Sequence, residues 1–323
     1  MTLLGAAAAV WPVAARAQPR ERMRRIGVLM NRAAGDREGQ TRVATFQETL
    51  GQLGWSDSRN VRIDIRWGAN IVDLERKYAV ELVALAPDVI LASGTQSVAA
   101  LQQITSTLPI VFVGVSDPVS AGFVDNLARP GGNVTGFMLF EYSLSGKWLE
   151  LLKQIMPGVM RAAVLRDAAN PAGIAQFGAI RASATALGVD VSPINVRDAG
   201  EIEKAVTAFA GVSTGGLIVT GSPAITLHRA LIIDLAARHR LPAVYNTQLF
   251  TNAGGLMSYG SNIADQFPRA AQYVDRILKG EKPANLPVQS PTKYDLTINL
   301  KTAKALGIDV PSSSVARADK TIE

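Results

Sequence analysis

Short β-branched runs alternate with amphipathic stretches along this chain, and the alternation runs through twice. Residues 26–30 form the first apolar run, followed by Val43, Phe46, Leu50 and Leu53 on one helical face, with Gly54 at the expected stop. Val61, Ile63, Ile65 and Trp67 then share one face of a strand over 61–67. A helix near 73–85, a fully apolar run at 89–92, a helix opening at Thr95 and a second apolar run at 110–115 continue the pattern. Runs that are apolar on both faces, separated by helices, predict a parallel sheet covered on both sides.

A turn-rich segment, Arg129-Pro130-Gly131-Gly132-Asn133, leads into a strand at 134–137 and a helix over 146–156. The alternation then restarts, with strands at 162–166, 190–195, 217–220, 243–245 and 256–259 and helices near 174–187, 202–209, 225–239 and 263–278. The expected fold is therefore α/β, with two doubly wound parallel-sheet lobes joined by a hinge of several crossings. The expected boundaries are 26–138 with about 260–290 for the first lobe and 139–259 for the second, while 291–323 supplies a strand and helix returning across the hinge.

The 323 residues are 48% hydrophobic and only 19% charged, which excludes a disordered scaffold. The formal charge of +6 raises nucleic-acid binding, but Arg16, Arg20, Arg22, Arg24 and Arg25 gather near the N-terminus and read as a solvated linker over 18–25. There is no cysteine, so disulfides, thiolate metal sites and cysteine nucleophiles are excluded. Residues 3–13 form an apolar run too short to span a membrane, and Ala15-Arg16-Ala17 fits a cleavage site before Gln18. Residues 1–17 are thus expected to be a signal peptide. Only Met1 and Thr2 precede the apolar run, so either the start is misassigned or the leader is truncated. No cysteine follows the cleavage site, which points to a free exported protein rather than a lipid-anchored one.

In open α/β sheets a ligand sits beyond the carboxyl ends of the strands, where helix N-termini present unpaired amides. Ser93, Thr95 and Gln96 follow the run at 89–92 and are candidates for a carboxylate; Ser93 or Thr95 equally reads as a helix cap. Ser116 and Asp117 end the run at 110–115, with Asp117 a candidate for a ligand ammonium or for a cap. Arg166-Asp167 with Asn170-Pro171, Ser222, and Tyr245-Asn246 hold the equivalent positions in the second half. Phe140 and Tyr259 fall near the crossings, where an aromatic stacks on a ligand or packs the hinge.

Enzyme motifs fail on context. Gly211-Val212-Ser213-Thr214-Gly215 matches a nucleophile-elbow pattern but runs from a helix into a strand, the reverse of what an elbow requires. His228 and His239 lie on one expected helix without zinc spacing. No glycine-rich phosphate loop follows a strand, so no nucleotide or other cofactor and no metal is expected.

Asp117-Pro118-Val119, the segment from Arg129 through Asn133 to Val134-Thr135-Gly136, and Gly254-Gly255-Leu256-Met257-Ser258-Tyr259-Gly260 together resemble one family. The C-terminal Asn299-Leu300-Lys301-Thr302-Ala303-Lys304-Ala305-Leu306-Gly307 adds to the match. The chain resembles the ABC-transporter substrate-binding group of type I periplasmic binding proteins, which includes binders of tryptophan and other aromatic amino acids. The resemblance covers essentially the whole mature chain. It implies a periplasmic monomer whose inter-lobe cleft closes on a small solute and whose partner is a membrane permease, with no catalysis and no nucleic acid. It also implies carboxylate contacts from Ser93, Thr95 and Gln96, an ammonium contact from Asp117, and contacts from Tyr245, Asn246 and Tyr259 on the facing side. Arg166 and Ser222 look particular to this chain, and a cation at Arg166 would favour a more acidic solute. The rival readings are a transcription-regulator effector lobe, for which a DNA-binding helix pair is missing, an enzyme on a doubly wound sheet, and a solute sensor docking on a signalling receptor.

Overall fold

The computed structural model describes residues 23–169, 171–196, 198–211 and 215–323. The expected signal peptide and most of the expected linker lie outside them, as does Asn170.

The first sheet comprises β1 (Arg24–Met30), β2 (Val61–Trp67), β3 (Val89–Ser93), β4 (Ile110–Val115) and β5 (Val134–Met138), in the order β2-β1-β3-β4-β5 with every neighbouring pair parallel. Helices α1 (Arg37–Gln52), α2 (Val72–Ala84) and α3 (Thr95–Gln102) connect its strands. The chain then forms α4 (Gly146–Ile155), β6 (Arg161–Arg166), α5 (Pro171–Leu187), β7 (Asp190–Asn195), α6 (Ala199–Ala210), β8 (Gly215–Val219), α7 (Pro223–Leu227), α8 (Arg229–Arg238), β9 (Ala243–Tyr245), α9 (Gln248–Asn252) and β10 (Met257–Ser261). It ends with α10 (Gln266–Leu278), β11 (Tyr294–Asn299), α11 (Leu300–Leu306), α12 (Ser312–Arg317) and β12 (Lys320–Ile322). The second sheet has the order β12-β11-β10-β9-β8-β6-β7 and is parallel except for the β10–β11 pair. Two doubly wound α/β lobes are therefore what the alternating pattern folds into.

Strands β3, β5 and β8 are buried along their whole length, as apolar runs without polar alternation require. On one face of the first sheet, Phe46 and Leu50 of α1 pack with Phe267, Val274 and Leu278 of α10; α2 and α3 cover the other face. So α10, although it follows β10 in sequence, belongs to the first lobe. The second sheet is covered by α4, α5 and α11 on one face and by α6, α8 and Phe250 of α9 on the other. Asp36 and Asp198 start α1 and α6 by accepting from the backbone N–H groups of Gly39 and Glu201 at 2.6 and 2.9 Å.

Three elements differ from the sequence reading. β1 opens at Arg24, inside the expected linker, because Arg24 and Arg25 pair with Asp88 and Asp64. The helix expected over 225–239 is two helices, α7 and α8, that meet at His228. The terminal strand, expected to lie across the hinge, is the antiparallel neighbour of β10, with Tyr259 opposite Leu296 and Met257 opposite Ile298. Ala303 and Ile308 after it are buried in the second lobe's core.

The chain passes between lobes after β5, after β10 and before β11, and the passages are tied together. Ser261 Oγ donates to the Leu139 carbonyl (2.6 Å), and the Asn262 N–H donates to the Lys293 carbonyl (3.0 Å). Gln266, 2% exposed at the start of α10, accepts from the Gly114 N–H and donates to the Met138 carbonyl, both at 2.8 Å. Gln266→Leu leaves a buried donor and a buried acceptor without partners. It is expected to lower unfolding stability by about 2–4 kcal/mol, read as a lower urea midpoint at unchanged slope.

Candidate functional site

Because the strands within each lobe run parallel, their carboxyl ends gather polar residues on one side. In the first lobe, Ser93 is buried and its hydroxyl donates to Asn31 Oδ1 at 3.0 Å, joining the ends of β1 and β3. Gly94, with φ +87°, follows; a Cβ there would stand 2.5 Å from Asn31 Nδ2, so both the backbone conformation and the close approach call for glycine. Gly94 is itself the N-cap of α3, which has no side-chain cap, so neither Ser93 nor Thr95 takes the capping role that the sequence allowed. Thr95 is exposed in the first turn, and Gln96 is half-buried with its Oε1 unpartnered.

Ser116 and Asp117 are half-buried beyond β4. Asp117 Oδ1 accepts from the Ser120 N–H (2.9 Å), and Oδ2 accepts from the Tyr142 hydroxyl (3.2 Å). Both oxygens are thus engaged, yet a carboxylate offers about four acceptor positions and retains capacity. Burial, reinforced by the adjacent Asp117 charge, pushes the Tyr142 hydroxyl pKa well above its ordinary value, so this hydroxyl stays a donor.

Phe140, on the passage leaving β5, reaches the second lobe. A Cβ on Gly221, just beyond β8, would lie 2.6 Å from Phe140 Cζ and 2.5 Å from Asn246 Nδ2, so only glycine admits both side chains. Ser222 is buried and its hydroxyl accepts from the Ile225 N–H at 3.1 Å, starting α7. Asn246, 7% exposed beyond β9, has an unpartnered Oδ1. Gln176, fully buried on α5, accepts from the Gly221 N–H through Oε1 at 3.3 Å, while its Nε2 is unpartnered.

Three expected residues point elsewhere. Tyr245 is 1% exposed and stacks on Phe250 at 4.8 Å inside the core, because successive strand residues face opposite sides and Asn246 takes the cleft side; burial pushes its hydroxyl pKa up. Tyr259 stacks on Tyr294 at 5.5 Å, and its carbonyl accepts from the Trp148 indole N–H at 2.7 Å, so it packs the hinge. Arg166 donates to Asn195 Oδ1 (3.1 Å) and lies 4.8 Å over the Phe177 ring, toward the β7 edge. Its charge is held by its own lobe.

Beside these strand ends lies a groove between the lobes, lined by Arg32, Glu38 and Arg42 on one side and Gln248, Asn252 and Asp295 on the other. None of the residues chosen from sequence lines it, although Arg32 and Thr247 directly follow Asn31 and Asn246. Its cations are paired: Arg32 bonds Asp36 and Glu38, and Arg42 bonds Glu38 at 2.5 Å. Burial lowers the Arg42 pKa and raises that of Asp295.

Sequence reasoning also missed Asn31, Tyr142 and Gln176. Asn31 was legible by the strand-end rule; Gln176 was not, because it lies on a helix. Among the described residues no group of three or more His, Asp or Glu is placed to hold a metal ion, and no helix is long and apolar enough to cross a membrane. The Gly211–Gly215 pattern bridges the end of α6 and the start of β8, with Val212 to Thr214 outside the described residues.

Residues 38–322 match the model of the family described as ABC transporter substrate binding protein. The chain belongs to that family. It is similar to a tyrosine-binding protein of Clostridioides difficile (strain R20291), 25% identical over 284 residues that cover 86% of this chain and 80% of the relative. A Streptococcus pneumonia ABC domain solved in complex with L-Trp superposes with a TM-score of 0.77 at 25% identity, covering 93% of this chain and 99% of that one. At 24% identity, a ligand-free, open substrate-binding protein with adhesive properties from Clostridium difficile gives 0.78 and covers 93% and 100%, a likeness of fold. The type I periplasmic binding fold inferred from the sequence is the fold found. This substrate-binding protein keeps a buried carboxyl under α3: Glu75, 1% exposed, accepts from the Ser97 hydroxyl at 2.8 Å. Burial raises its pKa, so its contribution to stability is full below the ordinary carboxyl range and is lost as pH rises through the raised value. Thermal melts from pH 4 to 7 are expected to show the wild type losing roughly 2–4 °C relative to Glu75→Gln over that rise.

Proposed function

We propose that this chain is the periplasmic solute-capturing component of an ABC importer, a monomeric clamp that takes a small carboxylate-bearing solute, an amino acid or aromatic acid, between its lobes. The closed, loaded form is then recognised by a permease of the inner membrane, and no bond is made or broken. The observation that carries the reading is the uncapped start of α3 beyond Gly94, with Ser93 and Asn31 fixed beside it and Asp117 at the end of the adjacent strand. Free amides at a helix N-terminus suit a carboxylate, and the remaining acceptor capacity of Asp117 suits an ammonium. The tyrosine-binding and L-Trp-bound relatives support the same class of solute.

In this reading Ser93, Thr95, Gln96, Ser116 and Asp117 contribute from the first lobe and Ser222 and Asn246 from the second, with Phe140 between them. Arg166, Tyr245 and Tyr259 are left out because their side chains are engaged elsewhere.

The protein is denatured and refolded to strip carried-over solute, then screened by thermal shift against amino acids and aromatic acids. A solute at 100 times its dissociation constant adds about 2.7 kcal/mol to the folded state. Asp117→Asn, which keeps an acceptor for the Ser120 N–H, is expected to weaken zwitterion binding by about 10- to 100-fold with little change in the unliganded melting temperature. A well-folded sample that responds to no solute in the screen would sink the proposal.

A further inference from the structure

Two unpartnered amide atoms in the second lobe carry more information than the helix start opposite them. Gln176 is fully buried and Asn246 is 7% exposed, and they reach the same place from different elements. The Gly221 N–H fixes the orientation of the Gln176 carboxamide by donating to Oε1, which leaves Nε2 as a buried donor with nothing to donate to. Asn246 Nδ2 sits against Gly221, and its Oδ1 is a buried acceptor with nothing to accept from. Buried polar atoms are ordinarily paired, so two failures around one glycine need a common explanation. Both lie where the chain leaves β8 and β9 at their carboxyl ends, and Phe140, on the passage leaving β5, closes over the same glycine.

We infer that Gln176 and Asn246 form a second-lobe subsite for a neutral group at the far end of the solute that both accepts and donates a hydrogen bond, a hydroxyl or a primary amide. Gln176 Nε2 donates to that group, and the group donates to Asn246 Oδ1. An anionic end group would supply an acceptor for Gln176 but no donor for Asn246. Arg166, the cation at the end of the neighbouring strand β6, is turned to Phe177 and Asn195 and does not counter such a charge. Phe140 supplies an apolar wall beside the amides. The inference rests on the clamp reading and sharpens it from any carboxylate-bearing solute to one with a neutral polar terminus.

The test is calorimetric titration of the refolded full chain with two matched pairs, L-tyrosine against L-phenylalanine and L-glutamine against L-methionine. The wild type is expected to prefer the polar member of at least one pair by about 10- to 100-fold, since a site built around paired polar groups penalises a ligand that leaves them unpaired. Gln176→Met and Asn246→Leu should each abolish that preference, with the polar member losing more affinity than its apolar counterpart. Gln176→Glu keeps an acceptor for the Gly221 N–H and, measured at a pH above the raised pKa that burial gives it, turns the free donor into an acceptor; there it should lose the preference even if Gln176→Met folds poorly. No preference in the wild type, or a preference that survives in the folded variants, overturns the inference and leaves the clamp standing; a water bridging the two amides would give the second result. Loss of response to every solute in the wider screen overturns the clamp and this subsite together.

Discussion

The hydrogen bonds of Gln266 tie the returning chain to the first lobe. Its carboxamide closes on the Gly114 N–H of β4 and the Met138 carbonyl of β5 as the chain returns from the second lobe. An interior amide satisfied on both sides by backbone is costly to disengage, so α10 is locked to the first sheet as its last layer. Among the described residues the lobes are then joined by three short passages, around 139–145, 261–265 and 290–293, the last beginning there because Val288 and Gln289 still bond to Leu127 and Gly136 of the first lobe. These are themselves linked through Ser261 and Leu139 and through Asn262 and Lys293. Passages tied to each other bend together, which is the mechanical requirement for two rigid halves that open and shut about one line.

The same return of the chain explains the one reversed strand pair. β6, β8 and β9 send their carboxyl ends toward the inter-lobe space, and β10 runs with β9 because it must leave the lobe there. After α10 is laid on the first lobe, the chain re-enters from that same side, so β11 starts where β10 ended and can pair only antiparallel. The Tyr259–Tyr294 stack sits at this point of exit and re-entry. Of the two roles that its place near the crossings left open for Tyr259, stacking on a ligand or packing the hinge, this stack takes the second.

How much of this could be read from the residues follows from which signals are local. Apolar runs without polar alternation at 89–92 and 110–115, short, β-branched and set between helical stretches, read as buried parallel strands, and the parallel sheets follow. Strand-end placement also put Ser93, Asp117, Ser222 and Asn246 at the carboxyl ends of β3, β4, β8 and β9, where they lie, since the carboxyl end of a strand is a place the sequence marks. It failed at Tyr245 because side chains alternate faces, and with the end of β9 uncertain by one residue, Tyr245 and Asn246 exchange cleft and core. It failed at Arg166 because a guanidinium reaches sideways to Asn195 and Phe177 instead of forward. Gln176 and Gln266 were out of reach for a different reason. A glutamine in a helix reads as surface, and only tertiary packing makes each one's amide a buried partner of another element's backbone.

Arginines beside the cleft are engaged within their own lobes. Arg32 and Arg42 are matched by Asp36 and Glu38 within one lobe, and Arg166 rests on an aromatic ring within the other. What the strand ends present is mainly amides and hydroxyls, of which Gln96, Gln176 and Asn246 each keep an unpartnered atom. Apart from the Asp117 carboxylate, these neutral dipoles exert little long-range pull, since their field falls off faster than that of a net charge and water screens it. The same dipoles act strongly once water is excluded, because each hydrogen bond to solute is then made in a less polar medium. In the clamp proposed above, solute binding would be coupled to closure: only a solute that satisfies both walls would offset the cost of desolvating them, and the discrimination would reside in the closed state.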